Sequence, residues 1–255
     1  MLVISSVLHA QEAPPTVDEA LANVRANITA YRASIPNFSC DESVVSQHLD
    51  GTKVKEEMKI ESSFRTTRAA DHVLQENRIR KLVDGRPVQD QKASPPYNFQ
   101  GGFANVLSGL NSRCNDFSFK PSGPFRADGK IVLVGISKVL SNPAIKCDGQ
   151  RSETEALIDP ETFQVLRLET TIQDVHLSMG TMAHLFLKMP SDHNVMKNTV
   201  TYAPTTLGDQ TFWLPTVVES TLSDTTKPIN LRYRASYSNY HRYTATSTIV
   251  PRPSE

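Results

Sequence analysis

Residues 53–64 read KVKEEMKIESSF, and apolar members of this stretch alternate with charged ones. Val54, Met58, Ile60 and Phe64 share one face of an extended chain, while most of the lysines and glutamates share the other. A strand with one wet face and one apolar face is typical of an antiparallel sheet that covers a core on one side. This stretch therefore predicts the fold class, and its charges mark the solvated side of the sheet.

Similar runs follow along the chain, separated by turn signals rich in Gly, Pro and Asp. Strands are predicted over residues 73–83, 116–120, 130–140, 155–158, 163–168, 195–202, 211–222 and 229–237. Residues 131–140 are apolar on both faces, which predicts a central, covered strand. Strands do not alternate with helices, so a doubly wound nucleotide-binding fold is not expected.

An amphipathic helix precedes the strands. Thr16 and Glu19 have the spacing of a capping box, and an apolar stripe with spacings of three and four follows as far as Tyr31. The sequence Ser-Ile-Pro-Asn at 34–37 ends the helix, and a short second helix is predicted over 103–110. We predict a mainly β (α+β) fold, a curved antiparallel sheet or open half-barrel covered by the N-terminal helix and a short lid segment.

The N-terminus and the composition bear on the compartment. Residues 1–10, MLVISSVLHA, are interpreted as the end of a truncated signal peptide, with a buried N-terminal strand as the alternative. One β-rich domain is expected over 16–250 and a disordered tail over 251–255. The protein is expected to be periplasmic or secreted, and no apolar run is long enough to span a bilayer.

Three cysteines, Cys40, Cys114 and Cys147, leave three disulfide pairings open in an exported protein. We favour Cys114 with Cys147, because both lie at the margins of one predicted hairpin. The alternative is three reduced thiols in a cytosolic protein. No Cys-x-x-Cys occurs, so neither a thioredoxin-like centre nor a zinc ribbon is expected.

Motifs of catalysis are missing from the sequence. It contains no Gly-x-Ser-x-Gly, His-Glu-x-x-His, Gly-x-Gly-x-x-Gly or phosphate-binding Gly-rich loop. The protein is therefore expected to be a non-enzyme without a cofactor. Nucleic-acid binding is not expected either: Arg and Tyr interleave over 232–243, but 27 basic and 27 acidic side chains leave no net charge.

The segment between residues 176 and 196 is unusually rich in His and Met. Imidazole and thioether groups suit Cu(I), so His176, His184 and His193 are candidate metal ligands, although their spacing matches no compact chelate. The alternative is an apolar lid, because Met is an adaptable gap-filler. The candidate lid residues are Met182, Leu185, Phe186 and Met189.

Several short sequences also carry a family resemblance. They are IPNFSC (35–40), VDGRPV (83–88), ALIDPET (156–162), VLRL (165–168), FWLP (212–215) and YSNY (237–240). Together they resemble a group of exported acidobacterial proteins, and the hairpin and the Leu-Pro strand are similar to the outer-membrane lipoprotein carrier superfamily. That resemblance implies an open half-barrel whose apolar concave face carries acyl chains or senses lipoproteins, and it supplies no catalytic residue.

An apolar concave face must be covered by helices or filled by a ligand. The candidate concave-face residues are Val54, Met58, Ile60, Phe64, Phe163, Val165, Leu231 and Tyr233. The leading hypothesis is a carrier or sensor of an apolar ligand, either an acyl chain or a lipoprotein. The alternatives are a cell-envelope interaction or structural module with a filled core and a protein partner, and a copper-binding protein.

Overall fold

The computed structural model contains one continuous β-sheet and two helices in its described part. The described residues are 14–68, 74–88, 94–99, 107–111, 114–137, 151–175 and 193–243. The elements are α1 (Val17–Ser34), β1 (Phe38–Asp50), β2 (Lys53–Arg68), β3 (Leu74–Val83), β4 (Arg86–Pro87), α2 (Ser108–Asn111), β5 (Asn115–Phe119), β6 (Ile131–Ser137), β7 (Ser152–Ile158), β8 (Val165–Gln173), β9 (Asn194–Leu207), β10 (Gln210–Asp224) and β11 (Ile229–Arg242).

The eleven strands lie in the order β4-β3-β2-β1-β11-β10-β9-β8-β7-β6-β5, all antiparallel. One meander runs from β1 out to β4, the other from β5 to β11, and the β1–β11 pair joins them. Within the described ranges β4 and β5 are unpaired edges, so the sheet is open. The predicted fold class is confirmed: a mainly β protein with an open half-barrel and an N-terminal helix. In these ranges no helix combines the length and apolarity needed to cross a membrane.

The predicted capping box begins α1. The Thr16 hydroxyl accepts a hydrogen bond from the Glu19 backbone N–H at 3.2 Å, and the Glu19 carboxylate accepts one from the Thr16 N–H at 2.8 Å. At the other end the Ile35 N–H donates to the Tyr31 carbonyl at 3.0 Å before Pro36 stops the helix. The side chains that the helix buries are Ala20, Leu21, Val24 and Ile28.

Alternation along the strands gives the sheet an inner face, against which α1 packs, and an outer face. Along β11, Leu231, Tyr233, Ala235 and Tyr237 are buried and the residues between them are exposed. This is the two-residue period that the sequence predicted for 229–237. The outer face carries the intervening Ser, Thr, Lys, Arg and Glu side chains.

Strand β6 differs from the expectation of a central strand. It lies next to the edge strand β5, and its Ile136 is 53% exposed. Ile131, Val132 and Leu133 are nevertheless buried. The chain before β6 folds back along this end, where the Pro124 carbonyl accepts from the Val132 N–H at 3.0 Å. This local cover, rather than a central position, explains the continuous apolar run.

The turn between β7 and β8 is organised by Asp159. One of its carboxylate oxygens accepts hydrogen bonds from the Thr162 N–H at 3.0 Å and hydroxyl at 2.9 Å, and the other pairs with Lys130 Nζ at 2.9 Å. The hydrogen bond from Lys130, followed by those from Thr162, lowers the pKa of Asp159 to about 2, against burial, which raises it. The turn is thus held by an ionised carboxylate.

We expect Asp159→Asn to destabilise the protein by ~1–2 kcal/mol at neutral pH, because the depressed folded-state pKa stabilises the fold only while the group is ionised. The carboxyl has an ordinary pKa of 3.8 when unfolded, so its contribution is complete above about pH 4 and disappears towards pH 2. Thermal unfolding against pH measures this, with Asp209→Asn, at an 85% exposed side chain, as the control. A wild-type advantage that persisted at pH 2 would contradict it.

Candidate functional site

Helix α1 closes the inner face, and three side chains tie it to the rest of the fold. Asn27 Nδ2 donates to the Thr162 carbonyl of the β7–β8 turn at 2.8 Å. Arg25 Nε donates to the Leu110 carbonyl of α2 at 3.0 Å. At the C-terminal end Arg68 of β2 donates to the carbonyls of Arg32 and Ile35. The helix is therefore held by an apolar stripe and a few polar contacts to carbonyl groups.

The segment 94–99 lies against the inner face through Tyr97. The Tyr97 N–H donates to Ser46 Oγ at 2.8 Å, and Ser46 Oγ donates to the Tyr97 carbonyl at 2.7 Å. The Tyr97 hydroxyl bonds Ser220 Oγ at 2.8 Å, and Ser220 in turn donates to Asn198 at 2.6 Å. Ser46 lies on β1 and Ser220 on β10, so Tyr97 links both meanders, through its backbone to one and its hydroxyl to the other.

A narrow crevice separates α1 from β8, β9 and β10. Tyr31, Gln164, Trp213 and Tyr202 are among its lining residues, and its volume is about 20 Å³, roughly the space of one water molecule. The Tyr202 hydroxyl has no hydrogen-bond partner among the described residues, although the side chain is 5% exposed. Burial raises the pKa of Tyr202, with a smaller effect from Tyr31, so it remains a neutral phenol.

The structure brings most of the predicted concave-face residues together on the inner face. Ile60, Phe64, Val165, Leu231 and Tyr233 are buried in one continuous core, and Met58 is half-buried against it. This positions them behind α1 and Tyr97. That these residues contact a ligand stays a prediction.

Two of the predicted concave-face residues lie elsewhere. Val54 is 44% exposed, because none of the described elements covers the β1–β2 hairpin tip, where residues 53–57 are all exposed. Phe163 packs partly against the core from the β7–β8 turn, not from a strand. Its φ of +54° ends the Asp159 turn in the left-handed region, and β8 begins two residues later.

The predicted lid and most of the predicted copper ligands lie outside the described residues. This applies to Met182, Leu185, Phe186, Met189, His176 and His184. His193 is exposed at the start of β9, where its carbonyl accepts from Thr225. The described ranges contain no cluster of three or more His, Cys, Asp or Glu side chains suited to a metal ion.

A charged pair that sequence analysis missed lies in the core. Glu42 is 2% exposed and accepts from Arg78 Nε at 2.9 Å, while its second oxygen has no partner among the described residues. The Arg78 guanidinium also lies over the Phe64 ring, 4.8 Å from its centroid. The alternation along the strand could have indicated this burial, because Glu42 lies an even number of residues from Phe38, Cys40 and Val44 and therefore shares their face.

The cysteines show no activated nucleophile in the described part. Cys40 is a free, buried thiol, and burial, followed by the nearby Glu42 and Asp41, raises its pKa to about 12. A thiol that stays protonated is a poor nucleophile. Cys114 is disulfide-bonded, and Cys147 lies outside the described residues, so the predicted Cys114–Cys147 pairing stays a prediction.

Two inner-face tyrosines should respond oppositely to loss of their hydroxyls. Tyr202→Phe removes a buried hydroxyl that has no partner in the described part of the chain, so stability should be unchanged or rise by up to about 1 kcal/mol. Tyr240→Phe removes a hydroxyl that donates to the Pro215 carbonyl and should cost ~1–2 kcal/mol. Equilibrium unfolding in urea measures both. Equal losses in the two variants would show that Tyr202 has a polar partner after all.

The geometry defines a class of protein, the open antiparallel half-barrel closed on its inner face by an N-terminal helix. Family models and curated proteins both give no match to this sequence. Among solved structures the chain is similar to a DUF1329 family protein from Desulfovibrio piger, at 11% identity and a TM-score of 0.43, covering 92% of this chain and 96% of that one.

Two further solved structures are similar over most of their length. One is a LolA superfamily protein from Nitrosomonas europaea, at 10% identity and a TM-score of 0.36, covering 91% of this chain and 96% of that one. The other is an outer membrane lipoprotein-sorting protein domain from Vibrio parahaemolyticus, at 10% identity and a TM-score of 0.40, covering 91% of this chain and 95% of that one. A LolA superfamily protein and a lipoprotein-sorting domain are thus among the solved structures to which the chain is similar, whereas the similarity to acidobacterial proteins stays a prediction.

Proposed function

We propose that this protein is an exported, non-enzymatic carrier or sensor of an apolar ligand, an acyl chain free or attached to a lipoprotein. The observation that carries the proposal is the continuous apolar inner face, which spans both meanders and is covered by separate elements rather than by a second sheet. A ligand that replaced one of these covers would meet buried apolar surface along the sheet.

The two elements that cover the inner face, α1 and segment 94–99, are held by contacts that can break without disrupting the sheet. Outside its apolar stripe α1 is held through side chains such as Asn27 and Arg25. Segment 94–99 is held through the hydrogen bonds of Tyr97 and through the Phe99 ring, which lies 6.3 Å from that of Tyr233. Breaking these contacts leaves the strand hydrogen bonds of the sheet intact. Elements that open without global unfolding are commonly those attached by few contacts.

The proposal has a direct test in ligand-dependent stability. We expect a fatty acid series from octanoate to stearate to raise the melting temperature of the wild type, since a ligand that binds only the folded state stabilises it. Tyr97→Ala removes a ring from the inner face. The fatty acid that stabilises the variant most should therefore have a longer chain than for the wild type, and the rise in melting temperature should be larger. Tyr97→Phe keeps the ring and is the matched control.

No melting shift at any chain length, in wild type or Tyr97→Ala, together with no acyl lipid on the purified protein, would refute carriage. Native mass spectrometry of protein purified from its own envelope gives an independent reading. A co-purified acyl lipid would support carriage even if added fatty acids had no effect.

A second candidate function is a cell-envelope interaction module with a filled core. The packing of Tyr97 between Ser46 and Ser220, and the crevice volume of only about 20 Å³, favour it. In that case the folded monomer would purify without lipid and a protein partner would bind an outer surface. Crosslinking in the envelope followed by mass spectrometry would identify that partner.

A further inference from the structure

The outer face carries a trough on the side of the sheet opposite α1. It crosses strands from β8 to β1 and has a volume of about 520 Å³, within the range of small-ligand sites. Short side chains, Thr199, Thr221 and Val45, occupy the positions between longer ones. Thr199 is 8% exposed. The trough is thus floored by short residues and rimmed by long charged ones.

The rim is rich in cations. Arg167, Lys197, Arg232 and Arg234 all line the trough. Glu169 pairs with both Arg167 and Lys197, at 2.8 and 2.6 Å, and Glu219 pairs with Arg234. Four cations therefore face two carboxylates, which leaves a surplus of two positive charges.

Arg232 is the cation of this rim that has no ion-pair partner among the described residues. No described residue forms an ion pair or hydrogen bond with its side chain, and the residue is exposed to the trough. Its neighbour Gln47 donates instead to Glu57 at 2.6 Å, and Glu57 also pairs with Lys59. The guanidinium is free to use its planar array of donors on a ligand.

The strand register aligns further donors with Arg232. Lys197 lies opposite Thr221, and Thr221 lies opposite Arg232, so the three form one row across β9, β10 and β11. The hydroxyls of Thr221 and Thr199 have no described protein partner. A row of ammonium, hydroxyl and guanidinium groups offers donors from several directions. This arrangement suits a tetrahedral oxyanion with three or more acceptor oxygens better than a planar carboxylate.

We propose that this outer trough binds a phosphate group, with Arg232, Thr221 and Lys197 as its main contacts. The site is on the opposite face from the proposed apolar ligand and does not depend on it. A phosphate could belong to a lipid headgroup or to a soluble phosphate ester, and both share the same contacts.

Titration calorimetry with inorganic phosphate, at constant ionic strength and with chloride as the reference anion, tests the site. We expect one saturable site, and Arg232→Gln should weaken binding at least about fivefold, since hydrogen bonds to charged groups contribute 1 kcal/mol or more. Arg65→Gln is the matched control: Arg65 is exposed on β2, outside the trough. It loses the same charge and should bind like wild type.

Two outcomes would overturn the proposal: no saturable binding, or equal weakening in Arg232→Gln and Arg65→Gln, which would show only general charge attraction. The source of the phosphate is resolved by cosedimentation with phosphatidylglycerol and phosphatidylcholine vesicles. Binding to the anionic vesicles that Arg232→Gln reduces indicates a headgroup. Binding of glycerol phosphate without vesicle binding indicates a soluble ester. Unchanged melting temperatures show that the variants are folded.

Discussion

Arg78→Met should destabilise the protein by ~3–5 kcal/mol, because it leaves Glu42 buried without its cation. The Glu42 side chain is 1% exposed, and its Oε1 lies 2.9 Å from Arg78 Nε. Equilibrium unfolding of the wild type and the variant in urea measures the loss.

The double variant Glu42→Leu with Arg78→Met should recover most of that loss, since apolar replacements of a buried ion pair are often neutral or stabilising. Lys81→Met is the control, because the Lys81–Asp41 pair is half exposed on both sides and should contribute less than about 1 kcal/mol. A double variant as unstable as Arg78→Met alone would show that the contact of Arg78 with the Phe64 ring, and not the charge balance of the pair, stabilises this region.

Phe64→Ala is the second large effect, an expected loss of ~3–5 kcal/mol from the cavity and the lost apolar burial. Phe64 is fully buried, and its ring lies 5.7 Å from that of Tyr237 in an edge-on arrangement. Phe125→Ala makes the same chemical change at a residue that is 42% exposed, and should cost well under 1 kcal/mol. Urea unfolding compares the two, and similar losses would contradict the assignment of Phe64 to the core.

Local patterns predicted the elements well. The capping box at Thr16 and the stop at Pro36 located α1, and strict alternation located β11, because these signals depend on neighbours in sequence. The order of the strands in the sheet could not be predicted from these local patterns. The pairing of Phe38 with Arg242 joins residues from opposite ends of the chain, and no local period reports it.

The site was only partly predictable for a related reason. Apolar residues such as Ile60 and Leu231 identified the inner face. Glu42 looks solvated in the sequence Asp-Glu-Ser, and no local pattern indicates that its cation, Arg78, comes from another strand. The Arg232 trough has the same origin. Its donors come from three strands whose register the sequence does not encode locally.

The place of β11 has a consequence for synthesis on the ribosome. Strand β11, the last of the described strands, lies between β1 and β10, so β1 emerges long before this neighbour exists and its hydrogen-bonding edge stays open until then. Assembly of the whole sheet must follow translation of residue 242, and a nascent chain stopped earlier holds two unjoined meanders.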